Sequence, residues 1–173
     1  MACGPNTYGA ALSALLPGTA ATFAIAELDG SATKKIRLLR IAIGGTELTP
    51  LGVNDLRLTK LSSISTGGAA TTATAVPFLA TLPAATAIFR GFTTAPTGGG
   101  VVLGALAVIK LVTDLVTVNP VGTITIDFST LPLGSRPTLN NATEALALDF
   151  NGATNRAMNL DIYAWWTEQP LNS

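Results

Sequence analysis

The chain is 173 residues long, with ten basic against ten acidic side chains, no histidine and one cysteine. Charged residues make up 12% of it, about half the usual share of roughly a quarter. The length suits one domain with a real core, and zero formal charge removes the electrostatic term behind most non-specific nucleic-acid affinity, so no direct nucleic-acid partner is expected.

Residues 7–16 (TYGAALSALL) are the one helix-compatible stretch, stopped by Pro17-Gly18. The sequence therefore predicts an arm or short helix over 1–18 and a single β domain over 19–173. A helix of little more than two turns is marginal alone. Tyr8, Leu12, Leu15 and Leu16 are accordingly expected to rest on another surface, in the same subunit or in a neighbour.

From residue 20 onward period-two alternation takes over, punctuated by Gly and Pro. Strands are predicted over 21–28, 35–43, 56–64, 84–93, 101–112, 121–129, 144–150 and from 160 to near the end. In the second, Ile36 and Leu38 differ in parity from Leu39, Ile41 and Ile43, which predicts a bulge or a change of partner near Leu38-Leu39. The same parity puts Lys35 and Arg37 on one face and Lys34 and Arg40 on the other. Over 101–109 the apolar run ends at Lys110, too short to span a membrane.

Further along, Ile124, Ile126 and Phe128 share one face, as do Leu146, Leu148 and Phe150; Ala145, Ala147 and Asp149 fall on the wetter side. Leu160, Ile162, Ala164 and Trp166 alternate with Asp161, Tyr163 and Trp165, so the two adjacent tryptophans must point to opposite faces. If Trp166 is core, Tyr163 and Trp165 are on the other face, where large aromatics mark interfaces or a second covering layer. Residues 66–74, 94–100 and 131–141 read as loops within one domain. The whole is an all-β, antiparallel, jelly-roll-like β-sandwich of about eight strands with an N-terminal arm or helix.

Without histidine, imidazole acid–base chemistry, Ser-His-Asp triads and HExxH zinc sites are excluded. A single cysteine leaves no zinc cluster and no internal disulfide. Gly98-Gly99-Gly100 lacks the Lys and Ser/Thr of a phosphate loop. Asp149 and Asp161 are outward carboxylates that a glycosidase would need as a pair, but polar strand positions are ordinarily solvated or salt-bridged, and no enzyme and no cofactor are expected. The N-terminus has no basic region before Lys34, which argues against a secretory signal. The sparse charge instead predicts a subunit whose surface is covered by others. Candidate interface residues are Tyr8, Leu12, Leu15, Leu16, Lys35, Arg37, Tyr163 and Trp165.

Four stretches, RLLRIAIGGT (37–46), STGGAATTATAVP (65–77), ATAIFRGFTTAPT (85–97) and EALALDFNGATNRAMNLDIYAWWTE (144–168), resemble small virion proteins of tailed bacteriophages, the jelly-roll head decoration (cement) or head-fibre-like family. The resemblance implies a virion protein assembled in the host cytoplasm. It also implies a homotrimer that decorates the capsid exterior and bridges subunits of the major capsid protein, with no membrane partner. The alternative it leaves open is a tail- or fibre-associated module that binds carbohydrate or a receptor, through Tyr163 and Trp165 or the loops 94–100 and 131–141.

Overall fold

The computed structural model describes residues 5–17, 24–47, 52–98, 100–113, 123–151 and 158–171. Cys3, residues 1–4 of the expected arm, and residues 21–23 and 121–122 of two expected strands lie outside these. The described chain is a sandwich of two antiparallel six-stranded sheets. Its strands are β1 (Asn6–Leu15), β2 (Ala26–Asp29), β3 (Lys34–Glu47), β4 (Gly52–Leu61), β5 (Ala69–Thr72), β6 (Val76–Pro77), β7 (Ile88–Thr94), β8 (Val102–Thr113), β9 (Ile124–Asp127), β10 (Thr138–Leu139), β11 (Ala145–Asp149) and β12 (Met158–Pro170).

Sheet I runs β10-β3-β12-β1-β6, with β9 also pairing β3. Sheet II runs β5-β7-β2-β11-β4-β8. The pairs β1·β12, β2·β11, β3·β9 and β4·β8 are nested, as in one long hairpin, and β3·β12 and β4·β11 join that hairpin across itself. Between β4 and β8 the chain adds β6 to sheet I beside β1, and β7 to sheet II beside β2.

Alternation drives the core. Leu160, Ile162, Ala164 and Trp166 of β12 face inward with Tyr8, Leu12, Ile36 and Ile43, and they meet Leu28, Leu56, Leu58, Leu146, Leu148 and Phe150 from sheet II. Each such side chain, taken out of water, stabilises the fold by about 1.5–3 kcal/mol.

Residues 7–15 form a strand, not the expected helix. Tyr8, Ala10 and Leu12 alternate inward; then Ala14 adopts a left-handed backbone (φ 50°), and the register slips between Leu12 and Leu15. That bulge turns Leu15 inward as well. The resulting Tyr8, Leu12, Leu15 spacing imitates a helical stripe, although a strand with one extra residue produces it. Tyr8, Leu12 and Leu15 are therefore core residues of their own subunit and unavailable as interface, whereas Leu16 is half exposed. Residues 6–15 belong to the sandwich itself: β1 lies inside sheet I, between β12 and β6.

The bulge expected near Leu38-Leu39 is present. Trp165 pairs with Arg40 and Trp166 with Leu38, which leaves Leu39 as the extra residue. It also corrects the expected faces of the basic cluster. By shifting parity, the bulge brings Arg40 to the face of Lys35 and Arg37 instead of the opposite one. Ala145, Ala147 and Asp149, expected on a wetter face, are buried. Residues 62–65 fold over that side of sheet II, where Ile64 packs on the cluster of Leu61, Phe92, Ala145 and Ala147.

Candidate functional site

Asp149 and Asp161 do not meet. The first lies on the outer side of sheet II, buried against Arg57 (3.1 Å) and accepting the Thr59 hydroxyl. The second lies on the outer side of sheet I and accepts the Ala14 amide (2.9 Å). Each carboxylate has a structural partner, and the two belong to opposite faces of the sandwich. Among the described residues no three potential metal-ligating acids or cysteines are grouped.

Two surfaces remain. On the outer face of sheet I, Tyr163 and Trp165 stack with ring centres 6.2 Å apart and planes 18° from parallel. Three of their four neighbours across the ladders are small, Gly9 and Ala11 on β1 and Ala42 opposite Tyr163 on β3; the fourth, opposite Trp165, is Arg40. Trp165 uses that room, and its indole edge lies over Gly9. Phe78, just past β6, is 57% exposed and closes in from the other side. Gly9 permits this, since a Cβ there would lie 3.0 Å from Phe78 Cε1 and 3.1 Å from Trp165 Cδ1.

The Arg40 guanidinium sits 5.7 Å above the Trp165 ring, within cation–π range. Asp127 holds it there, with Oδ2 accepting from Nη2 at 2.5 Å and from Nε at 3.2 Å. Hydrogen bonds from Ser129, reinforced by Arg40, lower the Asp127 carboxyl to a pKa of about 2. Two hollows flank the Trp165–Phe78 ridge. One, of about 440 Å³, is bounded by Gly9, Ala11, Thr74, Val76 and Tyr163. The other, of about 230 Å³, is bounded by Leu39, Arg40 and Ser129.

The second surface is β8, which among the described residues pairs only with β4 and forms an edge of sheet II. Val101, Val102, Leu103, Leu106 and Val108 are between 43 and 65% exposed. Every residue from 101 to 106 is exposed whichever way it points, and partial burial starts at Ala107. The strand's one charge within this exposed part, Lys110, is paired with Asp55 at 2.9 Å. The other described edges are defended: β6 is two residues long and contains Pro77, β5 is four, and β9 and β10 are separated by a turn holding Pro132 and Pro137.

The expected interface residues thus divide. Tyr163 and Trp165 lie on the open face of sheet I, as parity requires, and Leu16 is exposed. Lys35 and Arg37 are part-buried, and Arg37 donates to Gln169 Oε1. Arg40, Asp127 and Phe78 were not among the expected residues. The AVPFL run (75–79) was the available signal for Phe78, because three large apolar residues following a Thr/Ala-rich loop need a surface. Comparison of the chain with protein-family models, curated proteins and solved structures finds no match.

Proposed function

We propose that this chain is a structural subunit of a tailed-bacteriophage particle, a homotrimer that decorates the capsid exterior and bridges neighbouring subunits of the major capsid protein. The nested strand order supports reading the sandwich as a jelly roll, a hairpin rolled on itself, with β5, β6 and β7 as an insertion. The observation that carries the reading is β8. A long apolar edge with no proline, inward charge or covering segment among the described residues is an association hazard in an isolated monomer. It is harmless where another chain covers it.

A threefold ring uses heterologous contacts, so β8 of each copy would meet a different surface of the next; β8 paired with β8 about a twofold would give a dimer. Bridging stabilises the shell by mass action, because the trimer binds the assembled lattice and not free capsid subunits. Zero net charge suits an exterior position, since a protein facing packaged DNA gains affinity from basic excess.

Native mass spectrometry of the purified chain is the test, together with co-sedimentation on undecorated heads. A species of three times 17.6 kDa that sediments with heads is expected. A monomer at micromolar concentration that stays in the supernatant overturns the reading.

A further inference from the structure

We propose that the outer face of sheet I is a carbohydrate-binding site, centred on Trp165, that takes a neutral oligosaccharide along the two hollows beside the Trp165–Phe78 ridge. The inference is independent of the assembly role, which rests on β8.

Side-chain chemistry separates the two exposed apolar surfaces. On β8 and its approach the exposed large residues are all aliphatic, Val101, Val102, Leu103, Leu106 and Val108. That is packing material for another polypeptide. On sheet I the exposed rings are Phe78 and Tyr163, with the part-buried Trp165 between them. An aromatic ring carries a negative face. A pyranose offers it one side of weakly polarised C–H groups and a rim of hydroxyls. The first needs a flat ring surface, and Gly9, Ala11 and Ala42 leave room for one by adding no side chain of comparable height. The rim needs a donor and an acceptor fixed side by side.

Arg40 and Asp127 are that pair. The guanidinium spends Nε and Nη2 on Asp127, and Nη1 has no partner among the described residues. Asp127 Oδ2 accepts twice from Arg40 and Oδ1 accepts the Ser129 amide, which leaves a second lone pair on Oδ1. Both groups line or adjoin the smaller hollow, beside the indole. Because their charges cancel, the surface favours a neutral sugar over a phosphorylated or sialylated one. The larger hollow, about 440 Å³, falls in the range of small-ligand sites, and the smaller one continues it past the ridge.

The experiment titrates the full chain with cellohexaose, maltohexaose and N-acetylated chitohexaose, after a glycan array has been probed for any better neutral ligand. Tryptophan emission is the readout, since Trp166 is fully buried and acts as an internal reference while Trp165 reports the site. A saturable change is expected for at least one neutral oligosaccharide. Trp165→Ala should weaken it by more than about tenfold and Arg40→Ala by about tenfold, with the melting temperature unchanged. No saturable binding by any array glycan or hexamer up to about 10 mM overturns the proposal. So does binding that survives Trp165→Ala, which would put the sugar elsewhere. Loss of the oligomer in Trp165→Ala, with no glycan response in the native chain, would mark the face as a protein interface and overturn it too.

Discussion

Tyr8 and Trp166 face each other directly across the β1·β12 ladder, both fully buried, with ring centres 6.1 Å apart and planes 26° from parallel. The pair ties the strand that opens the fold to the strand that closes it. Burial raises the Tyr8 phenol above its usual pKa, and its hydroxyl donates to the Pro83 carbonyl at 2.9 Å. Trp166→Ala should cost about 3–5 kcal/mol, the range for a large buried aromatic. Tyr8→Phe keeps the ring and should cost about 1 kcal/mol for the lost hydrogen bond. Urea melts with near-ultraviolet circular dichroism check both; equal losses in the two variants would show that the ring contact is not what matters.

Glu168 is buried two residues further along and accepts hydrogen bonds from four donors. The donors are the Thr86 amide (2.9 Å), the Ala87 amide (2.9 Å), the Thr86 hydroxyl (2.8 Å) and the Trp166 indole (3.1 Å). One carboxylate thereby anchors the approach to β7 onto β12. Glu168→Ala strands these donors and should lose about 3 kcal/mol or more. Glu168→Gln, which keeps one acceptor oxygen but turns the other position into a donor, should fall between. Amide exchange at Thr86 and Ala87 should accelerate in both variants; unchanged exchange would mean the anchor is redundant.

On the outer side of sheet II, Arg90 is held between Glu27 (3.3 Å) and Asp29 (3.1 Å), beneath the Ser65 segment. Burial, then hydrogen bonding and charge from Glu27, raise the Asp29 carboxyl to a pKa of about 8. The folded state holds this proton more tightly than the unfolded chain, whose aspartate carboxyl has its ordinary pKa of 3.8. The stabilisation is therefore complete below about pH 4 and lost as pH rises towards about 8, with a limiting slope of about 1.4 kcal/mol per unit for one proton. The lowered Asp127 pKa acts in the opposite sense, its contribution lost as pH falls from about 4 through about 2, below that window. Asp29→Asn should flatten the slope between pH 4 and 8, followed by thermal melts. A native chain whose stability rises across that window would contradict the shift.

Period-two alternation was enough to read most of the long strands, because each buries one face and the parity of Ile124, Ile126 and Phe128 or of Leu160, Ile162 and Ala164 is uninterrupted. It failed where a bulge changed parity. At Ala14 the slip made a strand look helical, and at Leu39 it moved Arg40 to a face the pattern had not given it. It also failed at Ala145 and Ala147, since burial of an outer sheet face depends on another segment, residues 62–65, returning over it, and at Asp149, which is buried against Arg57 and Thr59 of the neighbouring strand. For the aromatic face, Tyr163 and Trp165 followed from β12 alone. Phe78 and Asp127 come from other strands, and only the sheet register brings them beside Trp165.

The unprotected edge of β8 gives the most direct prediction about assembly. Leu103 and Val108 are each 59% exposed, so a lysine at either position has solvent to enter and should change the stability of the isolated fold by no more than about 0.5 kcal/mol. A charged edge, however, resists addition of another strand or an apolar surface, which is how natural sheets keep their edges free. Leu103→Lys and Val108→Lys should therefore shift the assembly towards the single-chain mass of 17.6 kDa and release the protein from heads, with the melting temperature of the monomer preserved. The corresponding change on the opposite sheet, Val76→Lys, is the control, since β6 is two residues long and ends at Pro77. Variants that keep the native mass at both β8 positions would mean that the assembled particle covers some other surface, and that this edge stays open in it.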